Sequence, residues 1–177
     1  MPGAITLMIE KLKGLLSLKE RITNNNWEKI EKELNVIFPS DYKFFIDNYG
    51  AGAINDFLWI FSPFEDNKNI NSLDRLSELV YYDNITDNKK ADSTKKINYY
   101  DGKSGLFPIG VSDNGDEIFM DFQGDDVSIE VYETRELSPI VFNVSFLEFL
   151  VEILTNDSYK DLFAEDFLQS NNYYNWQ

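Results

Sequence analysis

The sequence has no cysteine and no histidine. That excludes disulfides, thiolate nucleophiles and thiolate metal sites, and it removes imidazole both as general base and as metal ligand. Serine-histidine-acid triads, cysteine proteases, histidine-ligated zinc hydrolases and histidine-based nucleases are excluded with them. Any catalysis would have to run on carboxylates, lysine or tyrosine, with a hard cation such as magnesium or calcium. Long apolar runs are also missing. In MPGAITLMIEKLKGLLSLKE, Glu10, Lys11 and Lys13 interrupt the apolar character before a secretory or membrane-spanning stretch can form. The segment reads as a soluble amphipathic helix, with no signal peptide, and the expected compartment is the cytoplasm. No glycine-rich phosphate loop is present, because Gly50 and Gly52 follow a helical pattern where a phosphate cradle would precede one.

Basic residues are scarce: 16 Lys and Arg face 31 Asp and Glu, for a net charge of −15. The excess sits in the second half, where residues 101–136 hold ten acidic side chains against two basic ones. Such a surface repels nucleic acid and anionic membrane and favours a basic partner, although solubility alone also accounts for it. The acid lies on a folded body, since 43% of residues are apolar and 15% aromatic, too many for a disordered acidic chain. At 177 residues the simplest organisation is one domain.

The best-defined short segment is FPSDYKFFIDNYGAG, from Phe38 to Gly52. Tyr42, Phe45, Ile46 and Tyr49 share one helical face, Pro39 suits the first turn, Ser40 or Asp41 can take the orphan donors, and Gly50 ends the helix. Before it, Asn24–Asn26 offer caps for a helix whose face carries Trp27, Ile30, Glu31 and Leu34. Glu31 is expected at the edge of that face, paired with a lysine or capping a neighbouring helix rather than catalytic. FLWIFSPF reads as a buried strand, and Asn71 or Ser72 as the cap of a helix through Leu73, Leu76, Leu79 and Val80. The polar stretch 82–96 reads as a loop or solvated helix, and its four lysines as a solvated run.

Three strands follow, LFPIGVS, EIFMDF and VSIEVY, joined by DNGD and QGDD. Asn114-Gly115 predicts a two-residue hairpin turn with both residues at positive φ, and Pro108 predicts an edge position or an irregular start for the first strand. Ile118, Met120 and Phe122 alternate onto one face with Val127, Ile129 and Val131. The opposite face carries Glu117, Phe119, Asp121, Ser128, Glu130 and Tyr132 and is expected to be open. PIVFNV is a further strand candidate. Ser145 and Glu148 form a capping box for a helix burying Phe146, Phe149, Leu150 and Ile153. Helical spacing of Tyr159, Leu162, Phe163 and Phe167 leaves a docked final helix open in the tail, with loose last residues. The carboxylates Asp113, Asp116, Glu117, Asp121, Asp125 and Asp126 are the densest cluster. Their spacing misses the ligand order of an EF-hand loop, and hairpin turns favour Asp and Asn for backbone reasons, so turn chemistry is preferred to a metal site.

Taken together, the Trp27–Leu34 helix with Glu31, the FPSDYKFFIDNYGAG segment, the block FPIGVSDNGDEIFMDF and the closing SFLEFL resemble the SUKH superfamily in its Smi/Knr group, over roughly residues 24–154. The resemblance divides the chain into an N-terminal amphipathic helical extension (1–23), a SUKH-like domain (24–154) and a tail (155–177), about whose ends it says nothing. It implies an α+β fold with a mainly antiparallel sheet and packed helices, and no catalytic residues; no cofactor and no metal are expected. It also implies an immunity protein that binds and neutralises the toxic domain of a polymorphic toxin, often a nuclease, or alternatively a Smi/Knr-type regulatory adaptor without a toxin. A basic toxin domain suits the acidic surface. The expected contact residues are Asp113, Asp116, Glu117, Phe119, Asp121, Asp125, Asp126, Glu130 and Tyr132, with the surface around Gly50–Asp56 as the fallback.

Overall fold

The computed structural model describes residues 3–87, 96–134, 136 and 138–176. Within them, seven strands form one antiparallel sheet: β1 (Gly52–Ile54), β2 (Leu58–Ile60), β3 (Ser104–Ser112), β4 (Glu117–Gln123), β5 (Asp126–Tyr132), β6 (Ile140–Phe142) and β7 (Tyr173–Asn175). The order across the sheet is β6-β5-β4-β3-β2-β1-β7. Five helices complete the α+β fold: α1 (Ala4–Leu15), α2 (Trp27–Leu34), α3 (Ser40–Tyr49), α4 (Ser72–Asp87) and α5 (Phe146–Thr155).

One core joins α1, α2, α3 and α5 to a single face of the sheet. Leu12, Trp27, Phe45 and Phe149 from the helices pack with Leu58, Phe107, Met120 and Val131 from the strands. In α3 the expected stripe is realised, since Tyr42, Phe45, Ile46 and Tyr49 are all buried. The Tyr42 hydroxyl reaches the Phe61 carbonyl at 2.8 Å, so its polar end is satisfied inside the core. Glu31 sits at the edge of its face and accepts from Lys43 Nζ at 2.8 Å and from the Phe38 N–H at 2.9 Å. Asn26 caps α2, accepting from the Lys29 N–H, and Asn71 caps α4, accepting from Leu73 and Asp74.

The N-terminus of α5 is held twice. Ser145 and Glu148 form the predicted capping box, and the buried Asp41 of α3 accepts from the Leu147 N–H at 2.8 Å, tying the two helices together. The Ser145 backbone N–H, then its hydroxyl, hold the Glu148 carboxyl below its usual range. A depressed carboxylate contributes stability above its unfolded pKa and loses it as pH falls through the folded one. Ser145→Ala is therefore expected to lose about 1 kcal/mol at neutral pH. The gap to the parent should narrow on acidification, when the parent loses its own box. Urea denaturation of both proteins at the two pH values checks this, and a gap that widens in acid contradicts it.

Several local expectations need correction. Pro108 is neither at an edge nor at a strand start: β3 is a central strand, and Pro108 pairs with Phe119 directly before a register shift that leaves Ile109 as the bulged residue. Asn114 stays outside the left-handed region, and only Gly115 adopts it, at φ 87°. Ser112 and Asp116 close the loop, with Ser112 N–H donating to the Asp116 carbonyl at 2.9 Å, which makes a three-residue hairpin ending on a left-handed glycine. The helix begun at Ser72 runs on to Asp87, taking in the start of the polar stretch, while residues 88–95 lie outside the described residues.

The tail makes two short 3-10 turns and then β7, where its spacing had left a docked helix open. β7 pairs with β1, Tyr173 is buried, and its hydroxyl donates to the Gly50 carbonyl at 2.7 Å. This pairing explains Gly52, since a Cβ there would lie 2.1 Å from the Tyr174 carbonyl oxygen. It also narrows the fallback surface around Gly50–Asp56, because residues 50–54 are buried, Asn55 is half-buried and only Asp56 is exposed.

Candidate interaction surface

Alternation along β4 and β5 sends Ile118, Met120, Phe122, Ile129 and Val131 into the helical core. The other face carries Glu117, Phe119 and Asp121, paired across the ladder with Tyr132, Glu130 and Ser128. This outer face is not fully open. Helix α4 packs against β3 on it and covers the β3–β4 side.

Three of the nine expected contact residues are engaged within the fold. Phe119 is 2% exposed, its ring centroid 6.1 Å from Tyr99 and 5.5 Å from Tyr132. Glu117 is bound by the Arg75 guanidinium of α4. Burial nevertheless pushes its carboxyl up, outweighing the attraction of Arg75. Asp116 is 5% exposed, accepts from the Ser112 hydroxyl at 2.5 Å and from the Thr134 N–H at 3.2 Å, and fastens the β3–β4 turn to the chain leaving β5. A buried, doubly bonded carboxylate of this kind is a structural group.

The other six remain accessible, but they do not form one patch. Asp113 lies exposed at the β3–β4 turn, where it accepts from Trp59 Nε1 at 3.0 Å. Asp125 and Asp126 are exposed at the opposite turn. The seven residues of β4 lie between these turns, roughly 20 Å of strand. Only Asp121, Glu130 and Tyr132 meet in the middle of the outer face, all half-buried. Among the described residues no group of three or more acidic side chains is placed to hold a metal ion.

The sequence reading missed the residues that complete this face: Arg75 and Asp83 from α4, and Tyr99 before β3. A signal was present in Phe119, since a large apolar side chain in the outward register of a strand implies a second covering layer. Tyr99 is buried enough to push its phenol up, and Asp83 and Glu117 push in the same direction. Burial, followed by Glu130 and Asp121, raises the Tyr132 phenol as well.

A groove of about 1140 Å³ lies on the helical side, between α2–α3 and the β4–β5 turn. Phe38, Phe122 and Phe146 form its floor, and its rim mixes Lys32 and Lys103 with Asp125 and Glu148. With both signs on its rim, the groove has no net preference for a charged partner. Among the described residues no helix is long and apolar enough to cross a membrane.

In comparisons with known proteins, residues 24–150 match the family model described as SUKH_6, SMI1-KNR4 cell-wall. No curated protein and no solved structure matches.

Proposed function

The chain belongs to the SUKH superfamily, in its SMI1-KNR4 family, and from that membership we propose that it is an immunity protein. It binds the toxic domain of a cognate polymorphic toxin and neutralises it by stoichiometric contact in the cytoplasm, without turnover. The observation that carries this reading is the family match over residues 24–150, most of the chain. The acidic surface supports it: a nuclease toxin presents a basic groove to its nucleic acid, and an inhibitor of opposite potential gains association rate and orientation. A cell-wall-type regulatory adaptor without a toxin is the reading that would take its place.

Of the expected contacts, those still open on the β4–β5 hairpin carry the proposal. Asp116 and Glu117 are unsuitable for charge reversal, because changing them would damage the fold. Asp121→Lys, Asp125→Lys and Asp126→Lys together are expected to weaken binding to the cognate toxin domain by more than about tenfold, with a flatter salt dependence. Titration calorimetry at two salt concentrations measures both effects. Unchanged affinity in a folded triple variant would place the contact elsewhere, with the helical-side groove the next surface to test.

A further inference from the structure

The backbone of β5 leaves one residue open. Gln123 and Asp126 flank the tight turn between β4 and β5, so they exchange both of their backbone bonds, and Asp121 and Ser128 do the same. Alternation then turns the N–H and C=O of Val127 and Ile129 away from β4, toward β6. Ile129 pairs there with Phe142. The next bonded position in that register would set Val144 opposite Val127, but β6 ends at Phe142 and the chain turns off to the Ser145 cap of α5. Among the described residues neither Val127 nor Val144 finds a backbone partner across the gap. The fork between the two segments is one wall of the helical-side groove, with both valines in its lining. The floor is apolar, with Phe38 edge-on to Phe122 at 5.9 Å beside Phe146, and Ile37 on the rim is 81% exposed.

We propose that this groove docks an extended segment of a partner protein, which lies beside Val127 in the place that β6 vacates. One antiparallel residue of the segment supplies a C=O for the Val127 N–H and an N–H for the Val127 C=O, as in strand addition to a sheet edge. Residues paired across a ladder share a face, so the side chain of that residue enters over Phe38, Phe122 and Phe146 and is apolar. The mixed charges of the rim select no charged anchor. A second copy of this chain is disfavoured as the occupant, because each copy brings a net charge of −15 and Asp125 lies on the rim. Asp125 also belongs to the acidic β4–β5 turn, so a partner bound at that turn reaches the groove directly. Identifying that partner as a toxin domain rests on the function proposed above. The groove itself does not.

The whole protein is titrated with a capped, uncharged peptide that alternates Thr and Val about a central Phe, followed by backbone amide NMR. Binding should shift the amides of residues 124–128 and 143–144 and slow hydrogen exchange at the Val127 amide by at least about tenfold. N-methylation of the central Phe removes the donor to the Val127 carbonyl and should weaken binding by about tenfold. Val127→Pro should do the same, since it deletes the outward N–H and no bond to β4. Should the proline variant fail to fold, the N-methyl peptide tests the same pairing on the parent. Ile37→Asp is expected to weaken binding by about fivefold, and Ile22→Asp, at a comparably exposed position outside the groove, by less than about twofold. Absence of binding, equal affinity for the N-methylated peptide, or equal effects of the two aspartates overturns the proposal. So does a dimer in light scattering whose dissociation on dilution shifts these same amides, which would give the groove to a second copy. No toxin enters this measurement, so its failure leaves the immunity reading standing, and a chain that protects no cell leaves the groove to be decided by the peptide alone.

Discussion

Replacing Phe45 by alanine is expected to destabilise the protein by about 3–5 kcal/mol. The ring is fully buried, and it touches three separate parts of the chain: Tyr49 in its own helix at 5.4 Å, Phe146 of α5 at 5.5 Å and Tyr173 of β7 at 5.4 Å. Removing it takes away the transfer free energy of a large aromatic group and leaves a cavity among side chains that are themselves pinned. Tyr42, which packs on the same Phe146 ring, is tied to the Phe61 carbonyl, and Tyr173 is tied to that of Gly50. Neighbours held in this way cannot collapse into the space, which places the cost in the upper part of the range for such changes. Urea denaturation with an unchanged slope would register the effect as a lower midpoint. A loss below about 1 kcal/mol would mean that the helix face is open, and would return α3 to the candidate binding surfaces.

An effect of similar size is expected at the other end of the chain. Tyr173→Ala should cost about 3–5 kcal/mol, because it empties the place where the tail enters the core. Tyr173→Phe keeps the ring but orphans the buried Gly50 carbonyl, for an expected loss of about 1–3 kcal/mol. The two variants separate the apolar contribution of the ring from the hydrogen bond. The docked tail is also held by Arg21 Nη1 donating to the Trp176 carbonyl at 2.6 Å and by Trp176 N–H donating to that of Ala51 at 2.8 Å. Should Tyr173→Ala cost less than about 1 kcal/mol, β7 would be a dispensable edge and not part of the folded unit.

These two residues also mark where sequence reasoning succeeded and where it stopped. The spacing of Tyr42, Phe45, Ile46 and Tyr49 defines a buried stripe because a helix repeats every 3.6 residues, and each of the four is buried. The box at Ser145 and Glu148 was readable for the same local reason. β1 and β7 are three residues each, too short for a period of two to register, and their pairing joins positions more than a hundred residues apart. Nothing in the local pattern around Gly52 signals that its missing side chain admits the Tyr174 carbonyl.

The candidate surface shows the same division. Alternation in β4 and β5 sorted inward from outward residues correctly, but alternation distinguishes two faces without saying which of them meets water. The packing of α4 over β3 decides that, burying Phe119 and leaving Glu117 half-buried in an ion pair with Arg75. Asp116 was grouped with the turn carboxylates by position, and the Ser112 hydroxyl and the Thr134 N–H claim it for the fold. Asp121, Glu130 and Tyr132 keep part of their surface exposed.

An immunity protein must protect a cell from a specific toxin. The direct measurement is growth of a bacterial culture expressing a candidate toxin domain, sought in the neighbouring gene, with and without the full chain, followed by size-exclusion chromatography of the mixed proteins. Growth is expected to be restored, with toxin domain and chain eluting as one stoichiometric complex. Continued killing by an expressed, folded chain, with the two proteins eluting separately, would contradict it.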